Sequence, residues 1–135
     1  MGRVLALDHG TVRIGVAISD AAGITAHPRG FIDAGAPDCL DRIRNLVAEL
    51  DVEHIVVGLP IGLDGSEGAA AAAARAFAGE VTDATGLAAE LVDERYTTVM
   101  AERALIATGS RRERRRQVRD GAAAAILLQD YLERR

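Results

Sequence analysis

Two apolar segments near the start of the chain constrain the fold most, because only a short turn separates them. Residues 4–7 are wholly apolar, residues 8–11 have the composition of a turn, and residues 13–18 read as a second strand. Two strands joined so closely must pair as antiparallel neighbours. A third strand is expected between Ile24 and Ile32. The chain therefore begins with three hairpin-connected strands.

The next part of the chain alternates between helical and strand patterns. Residues 38–50 place apolar side chains at helical spacing. Residues 54–60 follow as a strand that is apolar on both faces, as the central strand of a parallel sheet would be. An alanine-rich helix is predicted from Ser66 to about Thr82, and residues 88–93 predict another buried strand.

Two more helices complete the prediction. One is capped by Thr97 or Thr98 and runs through Ile106, and the last runs from about Glu113 to Glu133. Hairpin strands followed by strand–helix alternation imply an α/β fold with a mixed central sheet flanked by helices. At 135 residues, the chain is expected to form one domain spanning residues 1–135.

Composition narrows the cellular setting. Cys39 is the single cysteine, so an internal disulfide is excluded, which suits a reducing cytoplasm. No segment approaches the roughly 20 apolar residues of a membrane-spanning helix, and the first residues do not resemble a secretory signal. The sequence predicts a cytoplasmic protein without a membrane partner.

The distribution of charge indicates a nucleic-acid partner. The net charge is −4, yet residues 111–119 hold six arginines and one glutamate, a local charge of +5. A basic patch on an otherwise acidic chain can hold a phosphate backbone, although a solvated helix face is an alternative interpretation. The patch adjoins Asp120.

Acidic residues follow two of the predicted buried strands. Asp8 ends the first strand and Glu94 follows the strand at 88–93, and sites in α/β sheets form at such carboxyl ends. Asp120, on the predicted last helix, would share a stripe with Ala124 and Leu127. Hard divalent cations prefer oxygen ligands, and a pair of them can promote phosphodiester hydrolysis. The three acids therefore predict a site for Mg²⁺ or Mn²⁺.

Each acid also has an alternative interpretation. Asp8 can open a turn, Glu94 can pair with a neighbouring arginine, and Asp120 can cap a shorter helix starting at Gly121. His9 is a weaker candidate for a phosphate contact beside Asp8. The histidines lack zinc-ligand spacing with the cysteine.

A glycine-containing segment is a further candidate for phosphate binding. Residues 58–60 with Gly65 and Ser66 place a loop between a strand and a helix N-terminus, where backbone N–H groups can face an anion. Tight strand-to-helix packing would explain these glycines equally well.

Taken together, these segments resemble the YqgF/RuvX family, the Holliday-junction-resolvase-like branch of the RNase H superfamily. The resemblance spans nearly the whole chain, and its most specific part is the Asp-Glu-Arg-Tyr-Thr-Thr block at residues 93–98. The other matching segments are residues 7–10, 13–17, 57–60, 65–66, 101–102, 120, 122–123 and 126–129.

The resemblance implies an RNase H-like fold and a metal-dependent nuclease that processes the 5′ end of precursor 16S ribosomal RNA. It implies that Asp8, Glu94 and Asp120 bind the metal, with Asp93 as the substitute for Glu94. This sequence departs from the family at Gly62, where members often carry Asn. The loop therefore lacks a side chain there that could position the substrate. The residues expected to contact nucleic acid are Gly10, Arg13, Arg95, Thr97, Thr98, Arg115, Arg116 and Arg119.

Three other functions compete with this one. A DNA junction endonuclease would need two active sites and hence a symmetric dimer, so the chain is expected to be a monomer or a homodimer. A ribosome-assembly module that binds nucleic acid without cutting it would need only the basic patch, although scarce aromatic residues disfavour a single-strand stacking platform. An actin-like ATPase fragment would match Asp8-x-Gly10-Thr11, but such enzymes require a second lobe.

Overall fold

The fold is a five-stranded mixed sheet, seen in a computed structural model that describes residues 2–94, 111–112 and 121–135. The strand order is β3-β2-β1-β4-β5. β1 pairs antiparallel with β2, and β2 with β3, whereas β4 is parallel to both β1 and β5. The strands are β1 (Arg3–His9), β2 (Arg13–Ser19), β3 (Ala26–Asp33), β4 (Val52–Leu59) and β5 (Ala89–Asp93).

Helices cover both faces of the sheet. They are α1 (Cys39–Glu49), α2 (Ala69–Thr85) and α3 (Ala122–Arg134). α1 and α2 pack on one face, in a core that includes Ile43 and Val81, and α3 packs on the other through residues such as Leu127. Within the described part of the chain, no helix is long and apolar enough to cross a membrane.

β1 shows why the central strands are apolar throughout. Leu5 and Leu7 belong to the core beneath α1 and α2, whereas Val4 and Ala6 belong to the core beneath α3. Successive side chains point to opposite faces of a sheet, so a strand covered on both sides must be apolar at every position. The same alternation places Asp8, the next even-numbered residue, on the α3 face.

β3 forms one edge of the sheet and contains a bulge. Gly15 pairs with Phe31 and Ala17 pairs with Pro28, so two residues of β3 oppose Val16 alone. Gly30, within the bulge, has a φ of 78°, a conformation that glycine adopts without strain.

The strands are confirmed at the predicted places, but two helix starts differ from prediction. α2 begins at Ala69 instead of Ser66, whose N–H is donated to Asp64 Oδ1 (3.0 Å) within the preceding loop. The last helix begins at Ala122, because Gly121 has a φ of 73° and cannot continue a right-handed helix. The uninterrupted helix predicted from Glu113 is therefore wrong. The helix expected to start at Thr97 or Thr98 lies outside the described residues.

Candidate metal and nucleic-acid site

Asp8 stands at the end of β1 and faces the start of α3. It pairs with Gly15 on β2. A Cβ atom placed on Gly15 would lie 3.6 Å from the Asp8 Cβ and 3.5 Å from the Ala124 Cβ. The half-buried Asp8 side chain therefore lies where the sheet, the β1–β2 turn and the first turn of α3 meet.

Glu94 follows β5 directly and is almost completely enclosed, with 2% of its surface exposed. A Cβ atom placed on Gly58 would lie 2.6 Å from Glu94 Oε1 and 3.2 Å from Leu127 Cδ2. The carboxylate therefore lies over Gly58, between β4 and α3. It occupies space that any other residue at position 58 would fill.

The strand register brings Asp8 and Glu94 together. Leu7 pairs with Val57 across the parallel β1–β4 ladder, so Gly58 comes next to Asp8 on the neighbouring strand. Adjacent strands lie about 4.8 Å apart. The carboxylate lying over Gly58 is therefore close to Asp8, on the α3 face.

Glu94, and not Asp93, is on the side of Asp8. Val92 packs beneath α3, and strand alternation turns Asp93 toward the opposite face and Glu94 back again. Asp93 is half-buried. This arrangement supports the choice of Glu94 over Asp93 as the second acid.

Asp120 lies outside the described residues, but its neighbour Gly121 packs against the backbone of β2 and β3. A Cβ atom on Gly121 would lie 2.6 Å from the carbonyl oxygens of both Val16 and Gly30, so only glycine fits there. The helical stripe predicted to join Asp120 to Ala124 and Leu127 assumed a helix continuous through Gly121, whereas α3 begins after that residue. The role of Asp120 stays a prediction.

A cavity of about 310 Å³ opens beside Asp8. Two residues predicted to contact nucleic acid are in its wall, Gly10 and Arg13. The Gly10 N–H donates to the Arg13 carbonyl at 2.9 Å, and a Cβ on Gly10 would lie 2.8 Å from that oxygen. The full lining is Asp8, His9, Gly10, Thr11, Val12, Arg13, Gly15, Gly121, Ala123 and Ala124.

The other predicted nucleic-acid contacts lie in parts of the chain that the structure does not describe. These are Arg95, Thr97, Thr98, Arg115, Arg116 and Arg119. Arg111 and Arg112, at the start of the basic patch, are exposed.

His9 has a packing role on the other side of the sheet from Asp8. Its ring stacks on Phe77 of α2, with centroids 4.6 Å apart and an interplanar angle of 27°. Burial lowers the pKa of His9, while the charges of Asp8 and Glu80 act to raise it. The net effect favours the neutral imidazole, which is a poorer phosphate ligand than the imidazolium.

The loop after β4 uses its backbone N–H groups internally. The N–H of Gly62 donates to the Ser66 carbonyl at 2.8 Å, and the N–H of Gly65 donates to the Gly62 carbonyl at 2.9 Å. These bonds, with the Ser66–Asp64 contact, argue against an anion cradle here. A Cβ on Gly62 would lie 2.7 Å from Ser66 Oγ, so glycine at this family-divergent position fits the tight loop.

The donor set suits a hard divalent cation. No group of three histidine, cysteine, aspartate or glutamate residues poised for a metal occurs within residues 2–94, 111–112 and 121–135. The strand register does put the Glu94 carboxylate, over Gly58, on the strand next to Asp8 and on the same face of the sheet. Carboxylate oxygens are the ligands that Mg²⁺ and Mn²⁺ prefer. Asp8 and Glu94 therefore fit as two ligands of a site that needs at least one more.

Sequence reasoning offered tight packing as one explanation of Gly58 without connecting it to Glu94, and it missed the position of Phe31. A glycine inside a buried strand often marks a close approach, a signal that would have singled out Gly58. Phe31 carries no such signal, because its position depends on the β3 bulge.

Comparisons with known proteins agree with this architecture. The family model described as "RuvX: Holliday junction resolvase" matches residues 2–134. A protein of Pelotomaculum thermopropionicum named "Putative pre-16S rRNA nuclease" is 47% identical over 133 residues, covering 97% of this chain and 86% of that protein. A protein of Moorella thermoacetica with the same name is 46% identical, covering 98% and 95%.

A solved structure supports the fold independently. Thermus thermophilus RuvC, in complex with a Holliday junction substrate, matches with a TM-score of 0.55 at 15% identity, covering 98% of this chain and 94% of that one. The likeness confirms the RNase H-like architecture. The family is shown by the match over residues 2–134 and by the relatives that are 46–47% identical: the chain belongs to the RuvX family of Holliday-junction-resolvase-like proteins.

Proposed function

We propose that this chain is a divalent-metal-dependent nuclease that hydrolyses phosphodiester bonds at the 5′ end of precursor 16S rRNA. The carrying observation is that the Glu94 carboxylate lies over Gly58, which follows the Leu7–Val57 pair and so comes beside Asp8 on the neighbouring strand. The names of the curated relatives support the nuclease class and the RNA substrate. In this proposal, residues 1–135 form one catalytic domain that acts in the cytoplasm, where ribosomes are assembled.

The proposed ligands are Asp8 and Glu94, joined by Asp120. Bound Mg²⁺ or Mn²⁺ would supply an activated water and stabilise the departing oxygen. Asp8, in the wall of the cavity, would face the scissile phosphate, and the buried Glu94 would be held in place by β4 and α3. Arg13 in the cavity wall would bind a phosphate beside the cleaved bond.

The test is a cleavage assay with Mn²⁺ on a labelled precursor rRNA leader, linear DNA and a four-way junction. Asp8→Asn should abolish cleavage and keep the fold. Asp83→Asn, an exposed aspartate on α2, is the matched control and should cleave like wild type. EDTA should stop the reaction. Cleavage retained by rigorously purified Asp8→Asn would refute the proposed site.

The family description favours one second candidate, a DNA junction endonuclease. Symmetric cutting of a junction requires two active sites. This candidate therefore predicts junction-selective cleavage and a homodimer in light scattering, whereas the RNA nuclease can act as a monomer. Salt-sensitive binding without cleavage of any substrate would instead favour the assembly-module alternative.

A further inference from the structure

An exposed aromatic ring lies in the same cross-strand row as Asp8. Asp8 pairs with Gly15, and Gly15 pairs with Phe31. Residues paired across neighbouring strands share a face, so Phe31 is on the α3 face, two strands from Asp8. Two strand spacings are about 10 Å. Gly15, between them, has no side chain to separate the two.

Phe31 differs from the other aromatic residues that the structure describes. Phe77 is buried against His9, and the Tyr131 hydroxyl donates to Glu90 at 2.9 Å. Phe31, by contrast, is 39% exposed. Isolated surface apolar residues are common, so exposure alone does not indicate a site.

Arg13 supplies the second observation. Its guanidinium carbon lies 5.2 Å from the centroid of the Phe31 ring, and Arg13 is also in the wall of the cavity beside Asp8. A cation held over an aromatic ring, with part of the ring still open, offers a stacking surface and a phosphate partner together. Both groups lie on the side of the acids.

We propose that Phe31 stacks one unpaired nucleobase of the substrate, next to the phosphate that faces Asp8, while Arg13 binds the adjoining phosphate. The proposal rests on the nuclease function and specifies its substrate as locally single-stranded at the cut. It involves a single base, which is compatible with a chain that has only two phenylalanines, two tyrosines and no tryptophan.

The absence of tryptophan makes a direct optical test available. Phe31→Trp in the Asp8→Asn background would be titrated with short unstructured single-stranded RNA and with duplex RNA. The expected result is fluorescence quenching by single-stranded RNA and much less by duplex. Ile24→Trp in the same background is the control, because Ile24 is 64% exposed and lies at the other end of the β2–β3 hairpin. Equal quenching at both positions, or none at position 31, would overturn the proposal.

A second measurement separates stacking from simple apolar contact. Phe31→Ala should weaken single-strand binding roughly tenfold, as expected for loss of one base–aromatic stack, and Phe31→Tyr should restore it, while Phe31→Leu should not. RNA with one abasic nucleotide at the stacked position should bind wild type as weakly as intact RNA binds Phe31→Ala. Restoration by Leu would refute stacking.

The optical and binding measurements need no cleavage, so they separate this proposal from the nuclease function. Absence of any Mn²⁺-dependent cleavage by the wild-type protein would refute the nuclease function, even if RNA quenched the fluorescence of Phe31→Trp. Normal cleavage with unchanged single-strand binding in Phe31→Ala would refute only the stacking role.

Discussion

Replacing Gly58 by alanine tests how closely the site is built. The new methyl group would lie 2.6 Å from Glu94 Oε1 and 3.2 Å from Leu127 Cδ2. Ordinary van der Waals contacts with carbon are about 3.5 Å, so the carboxylate must retreat by roughly 1 Å. Because Glu94 is 2% exposed, it has little free space into which to move.

The expected effect is much larger on activity than on stability. Mg²⁺ demands ligand distances of about 2.0–2.1 Å in near-ideal octahedral geometry, and a misplacement of about 1 Å can reduce a rate by roughly 100-fold. Overpacking by one methyl group costs about 1–3 kcal/mol. Gly58→Ala should therefore remain folded and lose most of its Mn²⁺-dependent cleavage.

The assay compares Gly58→Ala with Gly79→Ala. Gly79 is in α2, and a Cβ there would meet nothing within 4 Å, so that variant should cleave normally and be slightly more stable, by up to about 1 kcal/mol. Urea unfolding gives the stabilities, and calorimetric titration with Mn²⁺ gives the metal affinity. The Gly58→Ala change should weaken Mn²⁺ binding in wild type but add little to Glu94→Gln.

Two results would refute the reasoning. Wild-type cleavage and Mn²⁺ affinity in Gly58→Ala would show that the Glu94 carboxylate is not a ligand in this position. Equal losses on the wild-type and Glu94→Gln backgrounds would show that the methyl group acts by another route.

Three further predictions concern stability. Gly121→Ala would place a methyl group 2.6 Å from two backbone oxygens at a residue whose φ is 73°. It should lower the free energy of unfolding in urea by about 3 kcal/mol or more, and a decrease below about 1 kcal/mol would contradict this contact. The N–H groups of Ile24 and Thr25 donate to the Asp20 carboxylate and lower its pKa. The ionised carboxylate therefore stabilises the folded protein above its ordinary pKa, and this contribution disappears as pH falls through the lower pKa of the folded state. The stability difference between wild type and Asp20→Asn should accordingly shrink in acid, and a pH-independent difference would argue against it. Tyr131→Phe removes the hydrogen bond to Glu90 and should cost about 0.5–1 kcal/mol, measurable by thermal unfolding, with no change in cleavage.

The fold was predictable because its signals are local. Apolar runs, a short turn and helical spacing depend on neighbours in sequence, and they placed all five strands. The two errors at helix starts arose from other causes: Asp64 accepts the Ser66 N–H within the loop, and Gly121 is pressed against the backbone of β2 and β3. Neither a side-chain hydrogen bond within a loop nor a contact with a distant segment leaves a periodic trace in the sequence.

The positions of two candidate acids were predictable for a related reason. Asp8 and Glu94 could be singled out because each follows an apolar strand. A carboxylate at the end of a buried strand carries a desolvation cost unless it is paired or holds a metal. Gly58 and Phe31 could not be assigned roles, because these depend on the register between strands. The roles of all the predicted site residues, Asp8 and Glu94 included, stay predictions.

The bulge in β3 has a consequence for how the surface around Asp8 can vary. Opposite Val16, β3 has the extra residue that keeps Phe31 on the side of Asp8 and Ile32 in the opposite core, and Gly30 in the same bulge receives Gly121 at the start of α3. Inserting one residue between Gly30 and Phe31 would exchange the faces of Phe31 and Ile32, so that Phe31 would no longer be on the side of Asp8. The edge strand contributes no candidate metal ligand, yet it determines both the shape of the surface around Asp8 and the position at which α3 begins.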